Sequence, residues 1–177
     1  MALVRALIAV FLIGAIGLAA TWYWRSRPER TIVGAVGTGE ICIDDFGFTV
    51  VASRSIDSLG PPEQPVLPRG RFVVVSLRVN NHAKRVDYRF EPRIARLVGA
   101  NGEEYEVSPE AQGALDAARS GIPSHATPLH PGESLTTDLV FDVPLAARGL
   151  MFRVSFASGL FDAIDVAMFG NQRLRIE

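Results

Sequence analysis

Hydrophobic and polar residues follow two different rhythms along this chain. The first 24 residues contain 20 apolar side chains, and no charge interrupts the 19 positions from Ala6 to Trp24. A helix rising about 1.5 Å per residue covers roughly 28 Å over that run, close to the hydrocarbon thickness of about 30 Å. The run closes on Trp22, Tyr23 and Trp24, followed by Arg25 and Arg27, the aromatic and basic side chains of a membrane interface. Pro28 then stops the helix. The pattern predicts a signal anchor and juxtamembrane basic segment over residues 1–30, with a transmembrane helix at about 4–24. The alternative is a cleaved signal peptide with Gly17 and Ala19 at its −3 and −1 positions. That option would leave a secreted domain.

Residues 31–39, small and glycine-rich, read as a linker or edge strand. Beyond them the apolar period is two. Phe46, Phe48, Val50 and Ala52 share a face, with Gly47, Thr49, Val51 and Ser53 opposite. Val73, Val75, Leu77 and Val79 alternate with Val74, Ser76, Arg78 and Asn80. Leu135, Thr137, Leu139, Phe141 and Val143 are set against Thr136, Asp138, Val140 and Asp142. Leu150, Phe152, Val154 and Phe156 repeat the pattern, as do Ile164, Val166 and Met168, and then Leu174 and Ile176. Such alternation marks antiparallel strands with one face on a core. Asn101-Gly102, between Arg93–Val98 and Glu104–Val107, signals a tight hairpin. One segment after residue 30 reads as helix: Ser108 caps it, Pro109 takes its first position and Glu110 suits the positive end of its dipole. It is expected as a short surface helix ending near Ser120-Gly121. Seven or eight short strands without a βαβ rhythm make residues 40–177 a mainly β domain, a β-sandwich with one short inserted helix.

Composition narrows the function classes. A single cysteine excludes a disulfide framework and a four-cysteine zinc site. From Thr31 onward there are fourteen basic and eighteen acidic side chains, a net charge of −4, so nucleic acid is not an expected partner. The mean hydropathy of +0.20 belongs to the first segment, since the remaining residues are only about 42% hydrophobic, ordinary for a soluble domain. Charge is segregated, however. Between Arg69 and Arg96 lie eight bases and two acids, whereas Glu103–Asp116 holds five acids and no base. Arg71, Arg78, Lys84, Arg85, Arg89, Arg93 and Arg96 are therefore the candidate interaction patch, suited to an anionic polymer, a headgroup surface or an acidic envelope protein. The competing reading is that these bases pair with acids on neighbouring strands.

Other chemistry-bearing residues do not assemble into a catalytic constellation. The glycines of 31–39 lack the Gly-Lys-Ser/Thr of a phosphate loop, and no serine stands in a Gly-x-Ser-x-Gly elbow. Cys42, between Ile41 and Ile43, reads as a small buried hydrophobe. Asp138 and Asp142, at alternate strand positions, read as solvent-facing, and Asp44-Asp45 lacks the oxygen spacing of a calcium loop. His125 and His130, with Glu133, make the 121–133 loop a candidate for a metal ion or small ligand. No catalytic residue, cofactor or resident metal is expected, and the chain is read as a non-enzyme.

Four motifs carry a family resemblance. They are Gly70-Arg71-Phe72-Val73-Val74-Val75-Ser76-Leu77-Arg78-Val79-Asn80-Asn81, Asn101-Gly102-Glu103-Glu104-Tyr105, Leu129-His130-Pro131-Gly132-Glu133, and Val140-Phe141-Asp142-Val143-Pro144. The chain resembles the Ig-like bacterial envelope family called domain of unknown function 4352, whose members are secreted, lipid-anchored or membrane-anchored. The resemblance covers roughly residues 38–176. It implies an Ig-like antiparallel β-sandwich facing outward from the membrane, and it implies no activity. It also conflicts with the arginine count, one before the apolar run and three directly after it, which favours a cytoplasmic domain. The combined expectation is a membrane-anchored, extracytoplasmic, non-catalytic interaction or adhesion-type module at a bacterial cell envelope. The alternative is an envelope protein binding a small ligand or metal ion through the 121–133 loop.

Overall fold

A computed structural model describes residues 33–34, 37, 39–119, 124–155 and 172–176. The chain divides into two units, Met1–Arg30 and Thr31–Glu177, and every described residue belongs to the second. The expected transmembrane helix, its interface residues Trp22, Tyr23, Trp24, Arg25 and Arg27, and the strand positions Phe156, Ile164, Val166 and Met168 lie outside the described residues. Among the described residues no helix is long and apolar enough to cross a membrane.

The described strands are β1 (Val33–Gly34), β2 (Ile41–Ile43), β3 (Phe46–Ile56), β4 (Arg71–Asn81), β5 (Ala95–Val98), β6 (Glu104–Glu106), β7 (Ser134–Val143), β8 (Met151–Val154) and β9 (Arg173–Arg175), with one α-helix, α1 (Pro109–Arg119). They form a four-stranded sheet in the order β2-β3-β4-β7 and a five-stranded sheet in the order β1-β9-β8-β5-β6. The pairs are antiparallel except at one edge, where the linker residues Val33 and Gly34 run parallel to Arg173 and Leu174. The described residues form a mainly β sandwich with one α-helix.

The core lies between the sheets, where alternation places it. Val73, Val75, Leu77 and Val79 of β4 and Leu139, Phe141 and Val143 of β7 meet Leu97, Phe152 and Leu174 from the opposing sheet and Leu150 just before β8. Each such fully buried side chain contributes about 1.5–3 kcal/mol relative to exposure. Asn101-Gly102 turns the chain from β5 to β6, and Gly102 takes a φ of 81° that a side chain would resist. The two-residue turn Asp44-Asp45 joins β2 to β3 with Asp44 at a φ of 51°, a conformation short acidic side chains tolerate.

Two departures from simple alternation shape the surface. First, the β3 register shifts between Val50 and Ala52, so Val51 is an extra residue. Phe46, Phe48 and Val50 share a face as expected, but Ala52 does not join them. Ala52, Arg54 and Ile56 pair with Ser76, Val74 and Phe72 and take the outer face of the sheet. Second, that outer face is covered. Helix α1 begins at Pro109 as the sequence predicts, with Ser108 Oγ accepting from the Ala111 amide at 3.4 Å, and its Ala111 and Leu115 bury Phe72, Val74 and Val140. The proline-rich connection after β3 adds Leu59 and Val66, which exchange two backbone hydrogen bonds and pack on the same cluster. The sandwich thus has a third layer over part of one sheet, and the helix is more than a surface ornament.

Candidate functional site

At one end of the sandwich, β4 leaves its sheet into the connection 82–91, and β7 begins after the turn 130–133. The two segments are fastened by one buried side chain. Asn81, 1% exposed, donates from Nδ2 to the carbonyls of Val86 (2.8 Å) and Leu129 (3.0 Å) and accepts at Oδ1 from the Ala83 amide (3.0 Å). Tyr88 and Leu129 then exchange backbone hydrogen bonds of 2.9 and 2.7 Å. The Tyr88 ring stacks on Phe46 with centroids 3.9 Å apart. Burial, aided by the nearby Glu91 carboxylate, pushes the Tyr88 phenol up, so it stays protonated. The connection is thereby held on a rigid base, with its tip in solvent.

The tip carries Lys84, Arg85 and Val86, all exposed, with Val86 at 60%. Arg89 follows, also exposed. Asp44 and Asp45, in the adjoining β2–β3 turn, are exposed, while the other carboxylates at this end have partners. Asp87 meets His130 Nδ1 at 2.9 Å, Glu91 pairs with Arg93, and Glu133 accepts from the His130 amide at 2.8 Å. Glu40 accepts from Asn80 Nδ2 at 2.6 Å and faces His82 Nε2 at 3.3 Å. Among the described residues Lys84, Arg85 and Arg89 enter no ion pair. The hydrogen bond from His130 to Asp87, reinforced by the charges of Asp87 and Glu133, raises the His130 imidazole above its usual range.

The seven-residue basic patch is not brought together as one surface. Lys84, Arg85 and Arg89 share the 82–91 connection. Arg78 projects from the outer face of the four-stranded sheet, because its neighbours Leu77 and Val79 are in the core. Arg96 projects from the outer face of the other sheet, between the buried Ala95 and Leu97, and meets Glu106 at 2.8 Å. Arg71, half-buried, points its Nη2 to the Ala147 carbonyl at 3.5 Å. Arg93 pairs with Glu91. Cross-strand pairing, the competing reading, therefore accounts for Arg96.

Three further expectations change. Asp138 is not solvent-facing: it is 6% exposed and accepts from Ser76, Arg119 and, at 3.0 Å, Arg54. Burial would raise its carboxyl, but the Ser76 hydrogen bond and the two arginines outweigh that and hold it below the usual carboxylate range. Asp142 receives the amides of Arg69 (3.0 Å) and Gly70 (3.3 Å), tying the proline-rich connection to β7. Cys42 is exposed rather than a buried hydrophobe, since the strand puts Ile41 in the core and Cys42 opposite Gly47 on the outer face. Its backbone is paired by the Gln172 side-chain amide at 3.0 and 3.1 Å. Partial desolvation of the side chain and the Glu40 carboxylate push its thiol up, which favours the protonated form.

The 121–133 loop falls partly outside the described residues. Its His130 and Glu133 bond to Asp87 and to the loop's own backbone. Among the described residues no group of three or more His, Cys, Asp or Glu side chains is placed to hold a metal ion.

Solved structures share this architecture. A conserved hypothetical protein from Bacillus anthracis superposes with a TM-score of 0.55 at 18% identity, over 78% of this chain and 92% of that one. The secreted protein MPT63 of Mycobacterium tuberculosis gives 0.53 at 17% identity, over 84% and 99%. The yjhA protein of Bacillus subtilis gives 0.52 at 12% identity, over 82% and 100%. At these identities the likeness is one of fold. No curated protein matches the sequence significantly. Residues 38–163 match the family described as domain of unknown function (DUF4352), and by that match across most of its length the chain belongs to this family.

Proposed function

We propose that this protein is an extracytoplasmic, non-catalytic binding module, held at the cell membrane by its N-terminal segment, whose recognition element is the 82–91 connection. The observation that carries this reading is a preorganised cationic tip. Lys84, Arg85 and Arg89 stand in solvent without ion pairs among the described residues, on a connection fixed by Asn81. A loop already ordered loses little conformational entropy on binding, so its charges are presented at low cost. Exposed cations beside an exposed valine suit an anionic polymer of the envelope, attracted at long range and screened by salt. Location outside the cytoplasm is supported by the apolar N-terminal run and by the fold shared with a secreted mycobacterial protein.

The test is binding of the purified full chain to long-chain polyphosphate, with phosphatidylglycerol vesicles as a second arm. The triple variant Lys84→Glu, Arg85→Glu, Arg89→Glu loses at least tenfold in polyphosphate affinity, while Arg78→Glu, on a sheet face, keeps it. Equal binding by the triple variant overturns the reading, and vesicle binding without polyphosphate binding replaces the polymer with a headgroup surface. A reporter fused after Glu177 tests the location: a cytoplasmic signal excludes the envelope assignment.

A further inference from the structure

The opposite end of the sandwich holds a pocket that the 82–91 connection does not touch. Register places it there: Asn80 pairs with Ser134 at the connection's end, whereas Arg71 pairs with Val143 just before the residues that line the pocket. An open depression of about 220 Å³ lies between the β5–β6 turn and the β7–β8 connection, and its charged residues Glu103 and Arg148 are exposed. Ala100, Pro144, Ala146 and the Tyr105 ring supply apolar wall, and Glu103 and Arg148 supply the charges, one from each of the two loops.

Both charges are held in place before any ligand arrives. Glu103 Oε2 accepts from the Tyr105 hydroxyl at 3.0 Å and from Asn101 Nδ2 at 3.2 Å. Arg148 donates from Nη1 to the carbonyls of Leu145 (2.5 Å) and Ala147 (2.9 Å), and among the described residues its other N–H groups make no hydrogen bond. The Ala100 amide donates to the Arg148 carbonyl at 3.0 Å, so the loops bearing the two charges are themselves joined. The volume is below the roughly 300–1,000 Å³ of a drug-sized site, and most of the lining surface is apolar. Such a space admits a short molecule with small apolar substituents, and its two charges match opposite charges at the ligand's ends.

We infer that this pocket binds a small zwitterion of the amino-acid or dipeptide class with methyl-sized side chains, its ammonium on Glu103 and its carboxylate on Arg148. The position of the carboxylate is set by Tyr105 and Asn101, and that of the guanidinium by two carbonyls, so neither needs to reorganise on binding. The site is independent of the anionic-partner reading.

Isothermal titration of the purified full chain tests it with three probes: alanylalanine, N-acetylalanine, which lacks the ammonium, and alaninamide, which lacks the carboxylate. Alanylalanine binds, and each blocked probe binds at least tenfold more weakly. Glu103→Gln weakens alanylalanine at least tenfold but leaves N-acetylalanine unchanged. Ala146→Phe, at an exposed wall position, fills the cavity and abolishes binding. If that variant fails to fold, the Glu103→Gln pattern decides alone. Absence of alanylalanine binding overturns the assignment, as does equal binding of a blocked probe or wild-type binding by folded Ala146→Phe.

Discussion

The Arg54 guanidinium on β3 reaches the Asp138 carboxylate on β7 at 3.0 Å, across the intervening strand β4. The contact exists because Val51 is bulged out of β3. Without that extra residue Arg54 would take the core face and Ser53 the outer one, and the carboxylate would lose a partner. Ser76 on β4 and Arg119 in the last turn of α1 complete the arrangement. Asp138 thereby joins three strands to the helix that covers them. Gln112 adds the neutral part of the joint, donating to the Asp138 carbonyl at 3.0 Å and accepting from the Val140 amide at 3.1 Å.

Replacing this carboxylate is expected to loosen the helix. Asp138→Ala removes hydrogen bonds from one hydroxyl and two guanidinium groups and costs about 2 kcal/mol, with the arginines' half exposure limiting the loss. Because the folded carboxyl is held below its ordinary value, its contribution is complete above about pH 4 and disappears as pH falls through the lowered value. Thermal melts from pH 7 down to pH 2 then show a steeper acid decline in wild type than in Asp138→Asn. Parallel curves for the two proteins would contradict the account.

Asn81 governs the end of the sandwich that bears the 82–91 connection. Asn81→Ala leaves the carbonyls of Val86 and Leu129 and the amide of Ala83 without their partners, and about 2–4 kcal/mol of stability is lost. Asn81→Asp is no milder, since a carboxylate has no N–H to donate to the two carbonyls. Urea unfolding measures the loss. Hydrogen exchange places it: amides of 82–91 accelerate more than those of β5 and β8. Uniform acceleration would mean that Asn81 does not hold the connection in particular.

Two glycines separate close approach to a flexible side chain from close approach to backbone. A Cβ at Gly47 would lie 1.9 Å from Glu40 Oε1 and 2.9 Å from His82 Nε2, whereas one at Gly70 would lie 2.3 Å from the Val143 carbonyl oxygen and 2.8 Å from Pro144 Cα. Gly47→Ala is expected to swing Glu40 aside at a cost of about 1 kcal/mol, and Gly70→Ala to cost about 2–3 kcal/mol because the chain itself must move. Desolvation is the larger cause of the raised Cys42 thiol and the Glu40 carboxylate the smaller, and displacing Glu40 removes the smaller one. Gly47→Ala therefore reacts modestly faster with iodoacetamide at pH 8 than wild type. An unchanged rate would show that Glu40 does not govern the thiol.

His130 reports on its own pairing. The bond to Asp87 raises the imidazole above 6.5, so its protonated form is favoured in the folded protein. This contribution is complete below the ordinary histidine range and fades as pH rises through the raised value. On a fully exposed group it is read by titration rather than by stability. The NMR midpoint of His130 lies above that of free histidine and returns towards it in Asp87→Asn. A midpoint that ignores the substitution would exclude the pair in solution.

What the sequence determined by itself is what neighbours along the chain decide. Alternation put Val73, Val75, Leu77 and Val79 in the core because a strand's side chains change face at every residue. Asn101-Gly102 and Ser108-Pro109 made a turn and a helix start through local dihedral and capping preferences. The outer faces were decided elsewhere. Phe72, Val74 and Val140 are apolar positions on the outward side of adjacent strands, a sign that this face is covered, but only the docking of α1 and the proline-rich connection says by what. Likewise, Arg71 through Arg96 are close along the chain and divided in space, because the two sheets turn their outer faces away from one another. Alternation is a short-range property of one strand. Coverage, bulge register and charge pairing depend on which distant segment arrives opposite, and that is set by the packing of the whole sandwich.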